Sequence, residues 1–387
     1  MKKLFLLVPV AALVMTACTS ESTESVGATA QQPKEISFAP LAQNPTRAAV
    51  HGNVMPEQPI YVAAYQAATA TGTVGNYFAE TQFLKNYKGG SASASDGVWG
   101  GVTPRYYPLG AATINFLAVT GNNGTKDINT TDANVTFDAT NYASAVQVKY
   151  STTESYSAAD QVDIMYATGQ GVVSQSGNGL TFAGGGTTST ENVAMTFNHA
   201  FALLNFQVKA AAGSEGLIEV NSIQVNNAAF TGTLDITNAY YAETDATAKN
   251  QPKIQWTPDT KTDAVVTGIS DYTVDNTTSV TPSTLWYPNN ASSWANIMIV
   301  PSDTKGVSPT QRGFDSFTIT YTIKATTGQA AQQYTYTYWP SNTVGTRTNV
   351  QEGKMYTYQI TFNLHEIRVE PSVTDWVENG PTAVPVF

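Results

Sequence analysis

Phe317-Thr318-Ile319-Thr320-Tyr321-Thr322-Ile323 alternates without a fault between large apolar and hydroxyl side chains. A period of two puts alternate side chains on opposite faces of a pleated strand, and a helix cannot bury such a pattern. The same signature recurs along the chain. Ile60 to Tyr65, Thr113 to Val119, Val162 to Ala167, Val193 to Phe197, Leu203 to Val208, Leu217 to Val225, Phe230 to Ile236, Asn296 to Val300, Tyr334 to Tyr338 and Met355 to Phe362 all read as strands. They are rich in β-branched and aromatic residues, which suit a half-buried pleated surface. Turn clusters separate them: Gly89-Gly90, Gly121-Asn122-Asn123-Gly124, Gly177-Asn178-Gly179 and Gly184-Gly185-Gly186. Only the Ala-rich stretch from Ala63 to Ala70 suggests a short helix. The pattern is that of an all-β chain of β-sandwiches. A boundary is expected in the Gly/Thr/Ser stretch from Gly184 to Thr190.

The N-terminus points to export. Lys2 and Lys3 precede an apolar run from Leu4 to Val14 that is short for a membrane span, and small residues lead to Cys18. Val14-Met15-Thr16-Ala17-Cys18 resembles a lipobox, with Met15 where Leu is usual. Residues 1–17 then read as a lipoprotein signal peptide, and Cys18, the only cysteine, as the lipidation site. A polar Ser/Thr/Glu tether follows it. The alternative is a plain signal peptide with an incidental cysteine. With Cys18 acylated, no disulfide or thiolate metal site remains. A net charge of −10 argues against nucleic acid and against electrostatic binding to anionic membranes. Charged residues make up only 12%, so hydroxyls, amides and 20 tyrosines must coat much of the surface, as in extracellular β-proteins.

Little suggests catalysis. His51, His199 and His365 have no ligand-spaced partner, and no G-x-S-x-G elbow exists. His199 reads as a histidine hydrogen-bonded at a strand start, and Asp163 as a carboxylate capping a turn or accepting backbone N–H bonds. Gly169-Gln170-Gly171 lacks the third glycine of a dinucleotide loop and reads as a turn. Asp127, Asn129 and Asp132 miss the EF-hand spacing and read as a solvated loop. Tyr334, Tyr336 and Tyr338 form a stripe that either stacks sugars or packs the core. The six tryptophans, Trp99, Trp256, Trp286, Trp294, Trp339 and Trp376, read as core anchors. No catalytic, cofactor-binding or metal-binding residue is assigned, and the chain is not read as an enzyme.

Five segments in order resemble the fimbrillins, the lipoprotein subunits of type V pili. They are Tyr106-Tyr107-Pro108 with Ile114 to Val119, Gln161 to Ala167, Met195 to Leu204, Gly353 to Tyr358, and Ile367 to Trp376 with Val377. The resemblance implies two tandem transthyretin-like Greek-key β-sandwich domains, here residues 48–190 and 191–387. It implies no cofactor, an outer-membrane or fimbrial location, and other fimbrial subunits as partners. It also implies strand exchange after cleavage by an Arg-specific protease. Thr46-Arg47-Ala48 fits such a cut between Arg47 and Ala48, with residues 18–47 as tether and propeptide. Ile36, Phe38 and Leu41 would form the removable strand. Ala383-Val384-Pro385-Val386-Phe387 is the candidate donor strand, through Val384, Val386 and Phe387, though pairing within its own subunit is equally open. The rival reading is a monomeric glycan-binding surface lipoprotein.

Overall fold

The computed structural model describes residues 34–42, 59–67, 75–92, 98–122, 135–138, 146–150, 162–176, 179–184, 192–237, 253–266, 272–274, 295–301, 313–324, 328–340, 350–363 and 366–375. Every regular element among them is a strand. The expected strands are present. The suggestion of a helix from Ala63 is corrected: Ala63 and Ala64 lie fully buried inside a strand, Ile60–Ala67. Alanine's helix preference is a weak prior that burial in a sheet overrides.

The N-terminal half is a ring. Its strands are β1 (Ser37–Ala42), β2 (Ile60–Ala67), β3 (Gly75–Lys85), β6 (Trp99–Gly101), β7 (Ala112–Asn122), β10 (Asp163–Ser176) and β12 (Val193–His199). The order runs β10-β12-β1-β6-β3-β2-β7, and β7 pairs back onto β10 along eleven residue pairs, Asp163↔Asn122 to Val173↔Ala112. The hydrogen-bonded circuit therefore closes into a barrel. Its interior is filled by Phe38, Phe83, Phe116, Phe197, Val62, Met195 and their neighbours. A small hairpin, β4 (Tyr87–Lys88) and β5 (Ser91–Ala92), stands beside β6. β11 (Gly179–Gly184) extends β10 as a hairpin.

The Gly169-Gln170-Gly171 segment is not a turn but the middle of β10. Both glycines are there for space. A Cβ on Gly171 would lie 2.5 Å from the Tyr107 hydroxyl oxygen, and one on Gly169 would lie 2.8 Å from Val193 Cγ1. Glycine inside a strand marks such a close approach.

A second layer covers one outer face of the barrel. It comprises β8 (Val135–Asp138), β9 (Val146–Tyr150), β15 (Gly232–Thr237) and β16 (Lys253–Pro258), in the order β16-β15-β9-β8. Outward-facing Tyr65, Leu117, Ile164 and Tyr166 of the barrel share a cluster with Leu234, Ile236 and Trp256 of this layer.

The C-terminal half is an open sandwich. One sheet orders β19 (Ala295–Ile299), β13 (Ala202–Ala210), β22 (Lys354–Phe362) and β23 (Ile367–Asp375). The other orders β17 (Thr262–Val265), β14 (Ile218–Ala228), β20 (Ser316–Ile323) and β21 (Gln332–Tyr338), with β18 (Tyr272–Thr273) also beside β14. Between them Leu204, Phe206, Tyr358, Ile223 and Phe317 build one core. The Phe206 and Phe317 rings meet edge-on, with centroids 5.0 Å apart.

A division at 190/191 does not separate these sheets. β12, which follows it, hydrogen-bonds to β1 and β10 of the barrel, and β15 pairs with β9. The chain leaves the barrel only after His199, and β13 begins at Ala202.

Candidate functional site

The first strand holds the most informative position in the molecule. β1 lies between β12 and β6 inside the closed circuit. It runs parallel to β12, from Phe38↔Val193 to Ala42↔Phe197, and antiparallel to β6, with Ser37↔Gly100 and Phe38↔Trp99. Just upstream, the Ile36 amide donates to the Arg105 carbonyl at 2.7 Å and the Tyr107 amide donates to the Lys34 carbonyl at 2.9 Å. Ladder bonds thus hold this segment along both of its edges.

Its side chains are equally committed. Ile36 and Phe38 are fully buried. The Phe38 ring meets Phe83 edge-on at 4.7 Å and Phe116 at 5.0 Å. Between the two apolar residues, the Ser37 hydroxyl donates to the Asn192 side-chain oxygen. The Glu35 carboxylate accepts the Gly89 amide through both oxygens, each at 3.1 Å. Fully burying a side chain the size of Phe38 is worth about 1.5–3 kcal/mol. Taking the segment away would open a groove lined by Phe83, Phe116 and Trp99 and leave two rows of backbone groups unpaired.

Of the residues assigned in the sequence, Ile36 and Phe38 are brought together at this groove, and the Leu41 backbone continues it opposite Thr196. Cys18, Arg47, Ala48, Val384, Val386 and Phe387 lie outside the described residues, as do Asp127, Asn129, Asp132, His51, His365, Trp286, Trp294 and Trp376. Sequence reasoning missed Glu35 and Asn192, and read Gly89 as a turn without its link to Glu35. It singled out Tyr106-Tyr107-Pro108 and Phe116 without linking them to the first strand. The alternation of Ile114, Phe116 and Ala118 was the available signal that these residues form the groove's floor.

A second arrangement is a buried ion pair or hydrogen bond. His199 Nδ1 lies 2.8 Å from Asp163 Oδ2, and both residues are buried. Asp163 therefore bonds a histidine side chain, where the sequence suggested a turn cap or an acceptor of backbone N–H bonds. Its other oxygen, Oδ1, has no hydrogen-bond partner among the described residues. The pair joins the start of β10 to the end of β12. The adjacent Ala200 amide donates to the Ile164 carbonyl, and Trp256 Nε1 donates to the Ala200 carbonyl. This knot fixes the point where the chain passes from barrel to sandwich. Among the described residues, no group of His, Cys, Asp and Glu is placed to hold a metal ion.

The tyrosine stripe divides. Tyr336 and Tyr338 pack against the sandwich core, while Tyr334 stacks on Tyr321 at 5.6 Å and is 40% exposed. Trp99 and Trp256 are buried as expected, but Trp339 is 61% exposed and is no core anchor. It follows the last residue of an edge strand, Gln332–Tyr338.

Residues 46–376 match the family described as fimbrillin-like. The chain belongs to the fimbrillin-like family. No curated protein matches its sequence. Among solved structures it is similar to a fimbrial protein from Bacteroides vulgatus, with 14% identity over 89% of this chain and 100% of that one and a TM-score of 0.51. It is also similar to a candidate cell-adhesion protein from Bacteroides uniformis, with 16% identity over 89% and 100% and a TM-score of 0.45. At these identities the likeness is one of fold. The matched region of this fimbrillin-like chain begins at Thr46, beyond the end of β1.

Proposed function

We propose that this fimbrillin-like chain is a structural subunit of a surface fimbria that supports adhesion and has no enzymatic activity. In this reading Cys18 is acylated and tethers the protein to the outer membrane. An Arg-specific protease cuts between Arg47 and Ala48. The strand bearing Ile36, Phe38 and Leu41 then leaves, and a donor strand from a neighbouring subunit takes its place. The C-terminal residues Val384, Val386 and Phe387 supply such a donor.

The observation that carries the reading is the placement of β1. It is a short strand paired on both sides, buried through Ile36 and Phe38, and joined to the rest of the chain by the segment that holds Arg47. An opened sheet is a template for another strand. Backbone bonds then give affinity, and alternate side chains give register. The fimbrial protein among the structural neighbours is consistent with this role.

The rival is a monomeric glycan-binding lipoprotein. One observation favours it, the exposed Trp339. The inward packing of Tyr336 and Tyr338 weighs against the aromatic platform it needs.

The test is Arg47→Ala in the producing cell. The expected result is a surface protein that keeps residues 18–47 and yields no ladder of high-mass species on a mildly denaturing gel. An undiminished ladder with Arg47→Ala, or assembled fibres whose chains begin at Cys18, would overturn the proposal.

A further inference from the structure

The Glu35–Gly89 contact differs in kind from the ladder bonds and apolar contacts that hold β1, and it adds a charge to the side-chain reading made by the Ser37–Asn192 hydrogen bond. Ladder bonds are blind to side-chain identity, and the sites of Ile36 and Phe38 accept any apolar group of suitable size. Glu35 is read by charge. Gly89 sits at the tip of the β4–β5 hairpin with φ +60°, followed by Gly90 at +80°, a turn that favours glycine. This backbone aims the Gly89 amide at both carboxylate oxygens, 3.1 Å away.

The hairpin is held in place from the other side. The Asn86 amide donates to the Val98 carbonyl at 2.7 Å. The Tyr87 carbonyl oxygen lies 1.9 Å from where a Cβ on Gly100 would stand, so only glycine at 100 lets the hairpin settle on β6. Gly100 is also the residue opposite Ser37. The hairpin thus stands on the strand next to β1 and presents an N–H donor to the residue just before the first buried side chain.

From this geometry we propose that the β4–β5 hairpin is a latch for an acidic residue. The strand this barrel prefers in the place of β1 carries Glu or Asp immediately before its first buried apolar side chain. The inference rests on the strand-replacement reading above and names the partner's chemistry: an extended segment of the order acid, aliphatic, small polar, aromatic. When Val384 and Val386 are laid on the places of Ile36 and Phe38, Ala383 falls at the acidic position. The preferred occupant is therefore a strand that carries an acid where this chain's own C-terminal segment has Ala383, so a copy of this chain fills the groove without engaging the latch.

The full chain, cut after Arg47 by an Arg-specific protease, is offered labelled peptides spanning 34–42. One has the native sequence, one carries Glu35→Gln and one Phe38→Ala. Retention is followed by gel filtration and hairpin protection by amide exchange at 87–92. The native peptide is expected to stay in the barrel, and the Gln peptide to leave roughly three- to tenfold faster, as fits the loss of a charge-assisted hydrogen bond. Exchange at 87–92 should rise with the Gln peptide. Equal retention of the Glu and Gln peptides, with the Phe38→Ala peptide excluded, overturns the latch and leaves strand replacement standing. A native peptide held no better than the Phe38→Ala peptide overturns both. In the uncut chain, Glu35→Gln should raise exchange at 87–92 while β12 stays protected, and unchanged exchange there also overturns the latch.

Discussion

The ring of Phe38 meets that of Phe116 edge-on, at 85° with centroids 5.0 Å apart, although the two residues belong to strands on different sides of the barrel. Edge-to-face contact adds to the area each ring buries. Phe38→Ala in the uncut chain should therefore cost about 3–5 kcal/mol, the range for emptying a well-packed aromatic site. Urea unfolding measures it. Val265→Ala, at an exposed position, is the matched control and should change stability by less than about 0.5 kcal/mol. A Phe38→Ala loss no larger than the control's would mean that β1 is not integrated as described.

Asp163 and His199 should behave as a unit. Removing either partner leaves the other buried without its hydrogen-bond counterpart, at a cost of about 1–3 kcal/mol for an unsatisfied buried polar group. Asp163→Ala and His199→Ala should each destabilise strongly, and the double variant should lose clearly less than the sum. A double-mutant cycle by chemical denaturation reads the coupling directly. Additive losses would show that the 2.8 Å contact carries no energy.

Tyr107 offers a gain. Its buried hydroxyl has no hydrogen-bond partner among the described residues. An unsatisfied buried hydroxyl is a net cost, so Tyr107→Phe is expected to stabilise by about 1 kcal/mol. Gly171→Ala should do the reverse. The new methyl meets the same hydroxyl at 2.5 Å and the ring carbon Cε1 at 2.7 Å, and overpacking of this kind costs about 1–3 kcal/mol. Thermal denaturation of the two variants gives opposite shifts in Tm.

Alkaline conditions should unfold the protein steeply. Burial raises the phenol pKa of Tyr358 and of Tyr166 above the ordinary value of 10.0, and Tyr166 is raised further by the Glu352 carboxylate that its hydroxyl faces at 3.5 Å. Below pH 10 these phenols are protonated in both folded and unfolded chains and add no pH dependence. Above it, the unfolded chain releases protons that the fold retains, so stability falls by up to about 1.4 kcal/mol per pH unit for each such tyrosine. Tyr166→Phe should make the fall shallower by one proton, as read from denaturation midpoints between pH 9 and 12. An unchanged slope would place the Tyr166 phenol in water rather than in the core.

The strands were legible because alternation is a local property. Phe317 to Ile323 declares its two faces within seven residues, and the structure buries Phe317 and Ile319 while leaving the threonines half-buried. The removable strand was legible in part, since Ile36 and Phe38 alternate ahead of Arg47. Its partners were not, because β1 pairs with residues 193–197, about 150 positions away, and no periodicity encodes a parallel neighbour at that distance. Glycines misled for a related reason. Gly169 and Gly171 look like a turn until Tyr107 and Val193 arrive from distant parts of the chain to fill the space they leave. Trp339 reads as a core anchor by its type alone, yet it follows the end of an edge strand.

The closed circuit of the barrel bears on timing. Each of its seven strands has a neighbour on both sides, so a stray strand from another copy finds no vacancy there, however crowded the copies become. Raising the protein's concentration does not create one. Breaking one peptide bond beyond β1 and losing a single short segment would free two ladders at once, on β6 and on β12. On the reading proposed above, polymerisation through this barrel would then start with a chemical event at a chosen place, the cut beyond β1, and not with crowding.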